Sequence, residues 1–189
     1  MAPVATNLVT ANAASSQLII VDIQTKLASA MPADAMQAVL KNCVILAQAA
    51  QLLNIDSVLT EQYPQGLGET LPEIKQHLAS NKAIAKMAFS ACGEPKFNAQ
   101  LHRDKPQIMI TGMEAHICVL QTALHLMQAG KTVFVVEDAI LSRNSANKAN
   151  AIARMRDAGC IVTNTESVVF EWLGNANHPA FKAISALIK

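Results

Sequence analysis

Three residues far apart in the chain carry side chains that together can break an acyl bond: Asp22, Lys86 and Cys118. Each stands where an apolar stretch gives way to small or polar residues. Cys118 follows Ile108-Met109-Ile110-Thr111-Gly112-Met113-Glu114-Ala115-His116-Ile117, at the break between a predicted strand and a helix running from Val119 to Gln128. A helix start offers unpaired backbone N–H groups and the positive end of the dipole, which favour a thiolate and any oxyanion formed beside it. Asp22 ends Leu18-Ile19-Ile20-Val21, and Lys86 follows Ala83-Ile84-Ala85 and precedes Met87-Ala88-Phe89-Ser90. Taken singly, each has a plain structural use: a free cysteine is usually a small buried apolar group, an aspartate caps turns, and a lysine is usually exposed. Together they form the acid, base and nucleophile set of covalent catalysis.

The elements that must position them follow from the apolar pattern. Strands are predicted at 17–22, 56–60, 82–86, 107–111, 132–137 and 160–164, most of them β-branched or otherwise apolar. Helical segments alternate with them. Apolar residues recur at three- and four-residue spacing over 34–53, 116–129 ends at Gly130, 145–158 ends before Gly159, and 166–173 and 178–188 form a helical tail. Alternation of this kind predicts an α/β fold of three layers, Rossmann-like, with about six parallel strands and helices on both faces. Sites in such folds lie outside the carboxyl ends of the strands, where Asp22, Lys86 and Cys118 all fall. No repeat or linker divides the chain, so residues 1–189 are expected to form a single domain, with 1–16 a flexible or loosely packed arm.

Composition excludes several classes. With 51% apolar and 15% charged residues over 189 positions, the chain can bury a sizeable core. A net charge of +1 gives no basic footprint for nucleic acid, and no charge run suggests a membrane surface. The apolar runs are strand-sized, well below the ~20 residues of a membrane span. Residues 1–16 contain no lysine or arginine and make a poor signal peptide. Cys43, Cys92, Cys118 and Cys160 lack metal-knuckle spacing, so a reducing compartment, the cytoplasm, is expected. Gly66-Leu67-Gly68 continues as Glu69-Thr70-Leu71 without the third glycine of a dinucleotide fingerprint, and there is no Walker loop; no cofactor is expected. The five histidines, at 77, 102, 116, 125 and 178, show no paired spacing, so no metal is expected either.

Ile20-Val21-Asp22-Ile23-Gln24, Lys86-Met87-Ala88-Phe89-Ser90 and Gly112-Met113-Glu114-Ala115-His116-Ile117-Cys118-Val119 resemble the isochorismatase-like cysteine hydrolase superfamily. Glu61-Gln62-Tyr63-Pro64-Gln65-Gly66-Leu67-Gly68, Cys118-Val119-Leu120-Gln121-Thr122-Ala123-Leu124, Asp138-Ala139 with Ser142-Arg143, and Arg154-Met155-Arg156-Asp157-Ala158-Gly159 resemble its isochorismatase domain-containing branch. The resemblance runs from about Asn12 to the C-terminus. It implies a hydrolase in which Cys118 attacks an acyl carbon to give a thioester, Asp22 is the general acid/base, and Lys86 stabilises charge. It also implies an oxyanion hole made by the backbone N–H groups of Glu114 and Cys118, with a cis peptide at Met113-Glu114. Some relatives, the nicotinamidases, hold a metal through an Asp-x-His arrangement, which Thr60-Glu61-Gln62-Tyr63 lacks. Isochorismatases proper cleave a vinyl ether without a cysteine nucleophile, so Cys118 points to an amide or similar carbon instead.

Expected wall residues are Gln24, Glu61, Gln62, Tyr63, Phe89, Met113 and His116, all near strand ends. The expected partner is a small-molecule substrate. The large apolar groups of Phe170-Glu171-Trp172-Leu173 need a cover, from the domain or from a second subunit, and relatives associate; a homo-oligomer, dimer or tetramer, is expected. Two other readings stay open: an interaction protein with little or no turnover, and a redox sensor in which Cys92 resolves an oxidised Cys118.

Overall fold

The computed structural model describes residues 9–78 and 82–189. Six strands form one parallel sheet: β1 (Ser16–Val21), β2 (Ser57–Gln62), β3 (Ile84–Lys86), β4 (Gln107–Met113), β5 (Thr132–Leu141) and β6 (Ile161–Thr163). Their order is β3-β2-β1-β4-β5-β6. The chain direction along the sheet therefore reverses between β1 and β4, and a crevice opens there beyond the strand ends.

Successive side chains of each central strand enter opposite cores, which is why these strands are apolar nearly throughout. Leu18, Ile20, Met109, Phe134 and Val136 enter one core. Ile19, Val21, Ile108, Ile110, Val133 and Val135 enter the other. The first core is covered by helices α1 (Ala33–Leu52), α4 (Thr165–Leu173) and α5 (Phe181–Ile188); the second is covered by α2 (Leu120–Gln128) and α3 (Ser145–Asp157). This is the expected three-layer architecture. Helical turns at Thr25–Ser29, Pro64–Leu67, Pro72–Lys75 and Pro95–Asn98 were not evident in the apolar pattern. They are too short to show a period.

Two departures matter. β5 extends to Leu141 because its register against β4 breaks: Ile110 pairs Val135, and pairing resumes at Gly112 with Ile140 and at Met113 with Leu141. The displaced stretch frees Asp138, whose Oδ1 accepts hydrogen bonds from the N–H and hydroxyl of Thr165, both at 2.8 Å, at the start of α4. The expected loose arm is the second departure. Residues 1–8 lie outside the described residues, but 9–16 are docked. Ala11 is buried, Asn12 N–H donates to Gln107 Oε1 at 2.7 Å, and the Ser16 hydroxyl links Asn12 O at 2.6 Å to Trp172 Nε1 at 3.0 Å. Polar groups at the buried amino edge of the sheet require partners, and the arm supplies them. Trp172 and Leu173 are covered by the domain itself, and Phe170 stacks edge-on with Phe181 at 6.2 Å.

β1 and β4 approach closely beside the crevice, at Gly112. Its φ is +114°, and a Cβ there would stand 2.0 Å from the carbonyl oxygen of Val21. Gly112→Ala is expected to destabilise the fold by about 2–5 kcal/mol, since an unfavourable backbone conformation adds to an overpacked contact. Thermal or urea unfolding would read this, and an unchanged midpoint would contradict it.

Candidate active site

β1 ends at Val21, and Asp22 turns the chain out of the sheet with φ +51°, its carbonyl accepting from Gln24 N–H at 2.8 Å. Short polar residues such as aspartate tolerate this left-handed conformation. The Asp22 side chain is fully buried. Oδ1 accepts the Thr60 hydroxyl at 2.8 Å, and Oδ2 meets Lys86 Nζ at 2.7 Å as an ion pair. Among the described residues, Oδ2 is the buried side-chain polar atom that accepts no well-aligned hydrogen bond.

Lys86, the last residue of β3, is 2% exposed. Besides Asp22, its ammonium reaches Gln62 Oε1 at 2.7 Å, Phe89 O at 3.0 Å and Ala88 O at 3.3 Å. Four acceptors surround three N–H bonds, so the group has no donor to spare. The segment carrying those carbonyls is fastened to α2: Ala91 N–H donates to Thr122 Oγ1 at 2.9 Å, and Ser90 Oγ meets His125 Nδ1 at 2.8 Å.

Cys118 sits in a π-helical turn, Ala115–Val119, that leads into α2. Such turns are rare and concentrate at functional sites. Cys118 is 6% exposed, its sulfur lies 4.0 Å from Gln62 Oε1, and the charges of Asp22 and Lys86 both act on it. The sequence therefore named three residues that the fold brings into one contact.

The thiol differs from expectation in its acidity. Burial pushes it up to about 12, the Asp22 charge adds to this, and Lys86 opposes it only in part. A helix start alone does not set the burial or the nearby Asp22 charge that act on this sulfur. Asp22 is also raised, by burial first, against the lowering effects of Lys86, Thr60 and Cys118. The site then holds a neutral thiol beside a buried carboxylate–ammonium pair.

The Met113-Glu114 peptide is cis. The Glu114 carboxylate points to Arg143, accepting from its backbone N–H at 3.0 Å and its Nε at 3.1 Å, with Nη2 at 3.0 Å. Burial raises the Glu114 pKa, but hydrogen bonds and charge from Arg143 outweigh it and hold the carboxyl below its usual range. This pairing anchors the loop between β4 and α2 to the end of β5.

The expected wall residues divide. Gln62 touches both Lys86 and Cys118, and its Nε2 donates to Met87 O at 2.9 Å. Tyr63 and Phe89 are half exposed on the same side. Gln24 is instead a buried clamp: Oε1 accepts from Gln62 N–H at 2.8 Å, and Nε2 donates to Gln62 O at 3.0 Å and Gly68 O at 2.6 Å. Glu61 is buried against Thr70, accepting from its N–H at 2.7 Å and its hydroxyl at 2.8 Å, with Lys75 at 3.5 Å. Met113 is fully buried among core side chains. His116 is held between Ser142 Oγ at 2.9 Å and Asn147 Nδ2 at 3.4 Å. Gln24, Glu61 and Met113 are buried, and His116 is half-buried.

Sequence reasoning missed Thr60, the hydroxyl partner of Asp22. A polar residue within the apolar run Ser57-Val58-Leu59-Thr60 was the available signal. It also missed Met87, whose side chain is exposed beside Phe89. Among the described residues, no three His, Cys, Asp or Glu side chains are grouped to hold a metal ion.

Comparison with known proteins supplies a family context. The isochorismatase domain profile matches residues 16–167. Bovine isochorismatase domain-containing protein 2 is 33% identical over 175 residues, covering 93% of this chain and 83% of that one. A Caenorhabditis elegans structure described as MAR1 ribonuclease superposes with TM-score 0.89 at 36% identity, covering 95% and 92% of the two chains. The ycaC gene product of Escherichia coli, described as an octameric hydrolase of unknown specificity, gives TM-score 0.87 at 25% identity, covering 95% and 89%.

The pH dependence of Cys118 alkylation by iodoacetamide, followed by mass spectrometry, checks the electrostatics. The rate is expected to keep rising through pH 10, because the thiol titrates at about 12. Asp22→Asn should move the profile to lower pH by removing a raising charge, and Lys86→Met should move it higher. A plateau near the free-thiol value of ~8.5, indifferent to both substitutions, would contradict this reading.

Proposed function

The chain belongs to the isochorismatase family, a family of hydrolases, and on that premise we propose that it cleaves a small amide or related acyl substrate through a Cys118 thioester. The observation that carries this reading is a buried thiol, 4.0 Å from Gln62 Oε1, acted on by the Asp22–Lys86 ion pair that Gln62 also contacts. Attack of sulfur on the carbonyl carbon forms the C–S bond as the thiol proton passes to Asp22. The N–H groups of Glu114 and Cys118 hold the oxyanion. Collapse expels the amine, which takes the proton from Asp22. Water then attacks the thioester, with Asp22 accepting its proton, and the acid and free thiol are regenerated. Lys86 keeps Asp22 oriented and offsets its charge throughout. With its donors already engaged, it acts as a fixed charge and not as a proton donor to substrate.

We further place the protein in the cytoplasm, as a homo-oligomer acting on a small molecule. The four free cysteines support the first statement, and the octameric E. coli relative supports the second. Among the described residues no helix is long and apolar enough to cross a membrane. The description of the nematode relative raises ribonucleolysis as a second reading. A net charge of +1 gives it little support, since RNA binding rests on phosphate neutralisation. Loss of turnover with the fold retained, and Cys118 serving as a redox sensor, are the remaining alternatives.

A panel of amides, ureides, carbamates, esters and RNA, assayed with wild type, Cys118→Ala and Asp22→Asn, separates these readings. At least one acyl substrate should turn over, falling at least about a thousandfold in Cys118→Ala and about 10²–10⁴-fold in Asp22→Asn. RNA cleavage that survives Cys118→Ala, or equal background rates across all acyl compounds, would overturn the proposal.

A further inference from the structure

The strand-end face divides into two chemically different sides. On the β2 and β3 side stand Tyr63, Met87 and Phe89, which are 48%, 68% and 55% exposed and make up three of the six exposed large apolar residues described. They are tied directly to the reactive cluster. Gln62, next to Tyr63, bonds Lys86 and approaches Cys118; its Nε2 holds Met87 O; and Phe89 O accepts from Lys86. On the β4 and β5 side stands the Glu114–Arg143 pair, in which a buried carboxylate pins an exposed guanidinium through Nε and Nη2.

The cations that contact these strand-end residues all face carboxylates. Lys86 meets Asp22, Arg143 meets Glu114, and Lys75 meets Glu69 at 2.8 Å and Glu61 at 3.5 Å. Lys86 is also saturated with acceptors, and the ring nitrogens of His116 meet Ser142 and Asn147. A substrate carboxylate entering beside Cys118 would lose its water, and each of these cations is already committed to a carboxylate. Its charge would also lie beside the buried Asp22.

We propose that this site selects uncharged amides bearing an apolar substituent, the amide carbonyl placed at Cys118 and the substituent laid on Tyr63, Met87 and Phe89. The proposal rests on the acyl-transfer reading for its substrate, while the selection itself belongs to the mouth of the site. Glu114 is then a specificity residue: by holding Arg143 it withholds an exposed cation beside the site.

Paired alkylating probes test this independently of turnover. Iodoacetamide and iodoacetate react alike: the Cys118 sulfur displaces iodide, a C–S bond replaces the C–I bond, and the thiol proton is released to solvent. Both reagents meet the same thiolate fraction, so their rate ratio reports the mouth and not the acidity of the thiol. Relative to glutathione, wild-type Cys118 should favour iodoacetamide by about tenfold or more. Glu114→Gln, which frees Arg143, should raise the iodoacetate rate severalfold, and added salt should reverse the gain. Arg143→Gln should move the ratio the opposite way. N-benzyl iodoacetamide should outpace the N-methyl reagent, with the advantage lost in Phe89→Ser or Met87→Ser. A wild-type ratio equal to that of glutathione, or a benzyl preference untouched by both rim substitutions, would overturn the proposal. Circular dichroism establishes that each variant is folded, and if Glu114→Gln is not, the Arg143→Gln arm carries the test. Failure of the acyl panel with these ratios as expected would instead reject the hydrolytic reading alone.

Discussion

The ion pair between Asp22 and Lys86 governs the arrangement of everything around it. Both side chains are fully buried, so each has given up its hydration. Such a pair persists only when geometry and further hydrogen bonds compensate, and removing one partner typically costs about 3–5 kcal/mol. Those further bonds come from Thr60, Gln62 and the carbonyls of Ala88 and Phe89. Satisfying the pair thus fixes the ends of β1, β2 and β3 relative to one another. Through Ser90 and Ala91, the same segment holds α2, the helix that Cys118 introduces.

The second anchor lies across the crevice. The register break in β5 lets Ile140 and Leu141 rejoin the sheet and delivers Ser142 and Arg143 to the loop after β4. His116 and Glu114 are held there by hydrogen bonds. The thiol is consequently caught between two fixed loops. Its sulfur faces the carboxylate that raises its pKa and the ammonium that lowers it, and burial settles the balance toward the neutral form. In the proposed mechanism, reactivity depends on passing the proton to Asp22 during attack.

Much of this was legible in the sequence. All six strands and the five longer helices follow from apolar runs and spacing, because buried parallel strands and amphipathic helices impose periods that the residues must obey. Asp22, Lys86 and Cys118 stood out because reactive side chains at the ends of apolar runs are unusual. Gln24, Glu61, Met113 and His116 were equally close to strand ends, but closeness in sequence does not reveal where a side chain points. Their hydrogen bonds and packing run to Gln62, Gly68, Thr70, Ser142 and the core, and such pairings across long separations leave no local trace. The acidity of Cys118 was misjudged for the same reason. A helix start is visible in sequence, whereas the depth of burial and the contact with Asp22 exist only in the folded chain.

The protonation state of the resting thiol bears most directly on this account. The ultraviolet difference spectrum between wild type and Cys118→Ala isolates thiolate absorbance at this one position. At neutral pH no thiolate band should appear, with absorbance growing only in strongly alkaline solution as the thiol titrates at about 12. A full thiolate band at neutral pH would show that the buried pair does not hold the proton on sulfur, and would contradict the mechanism derived from it.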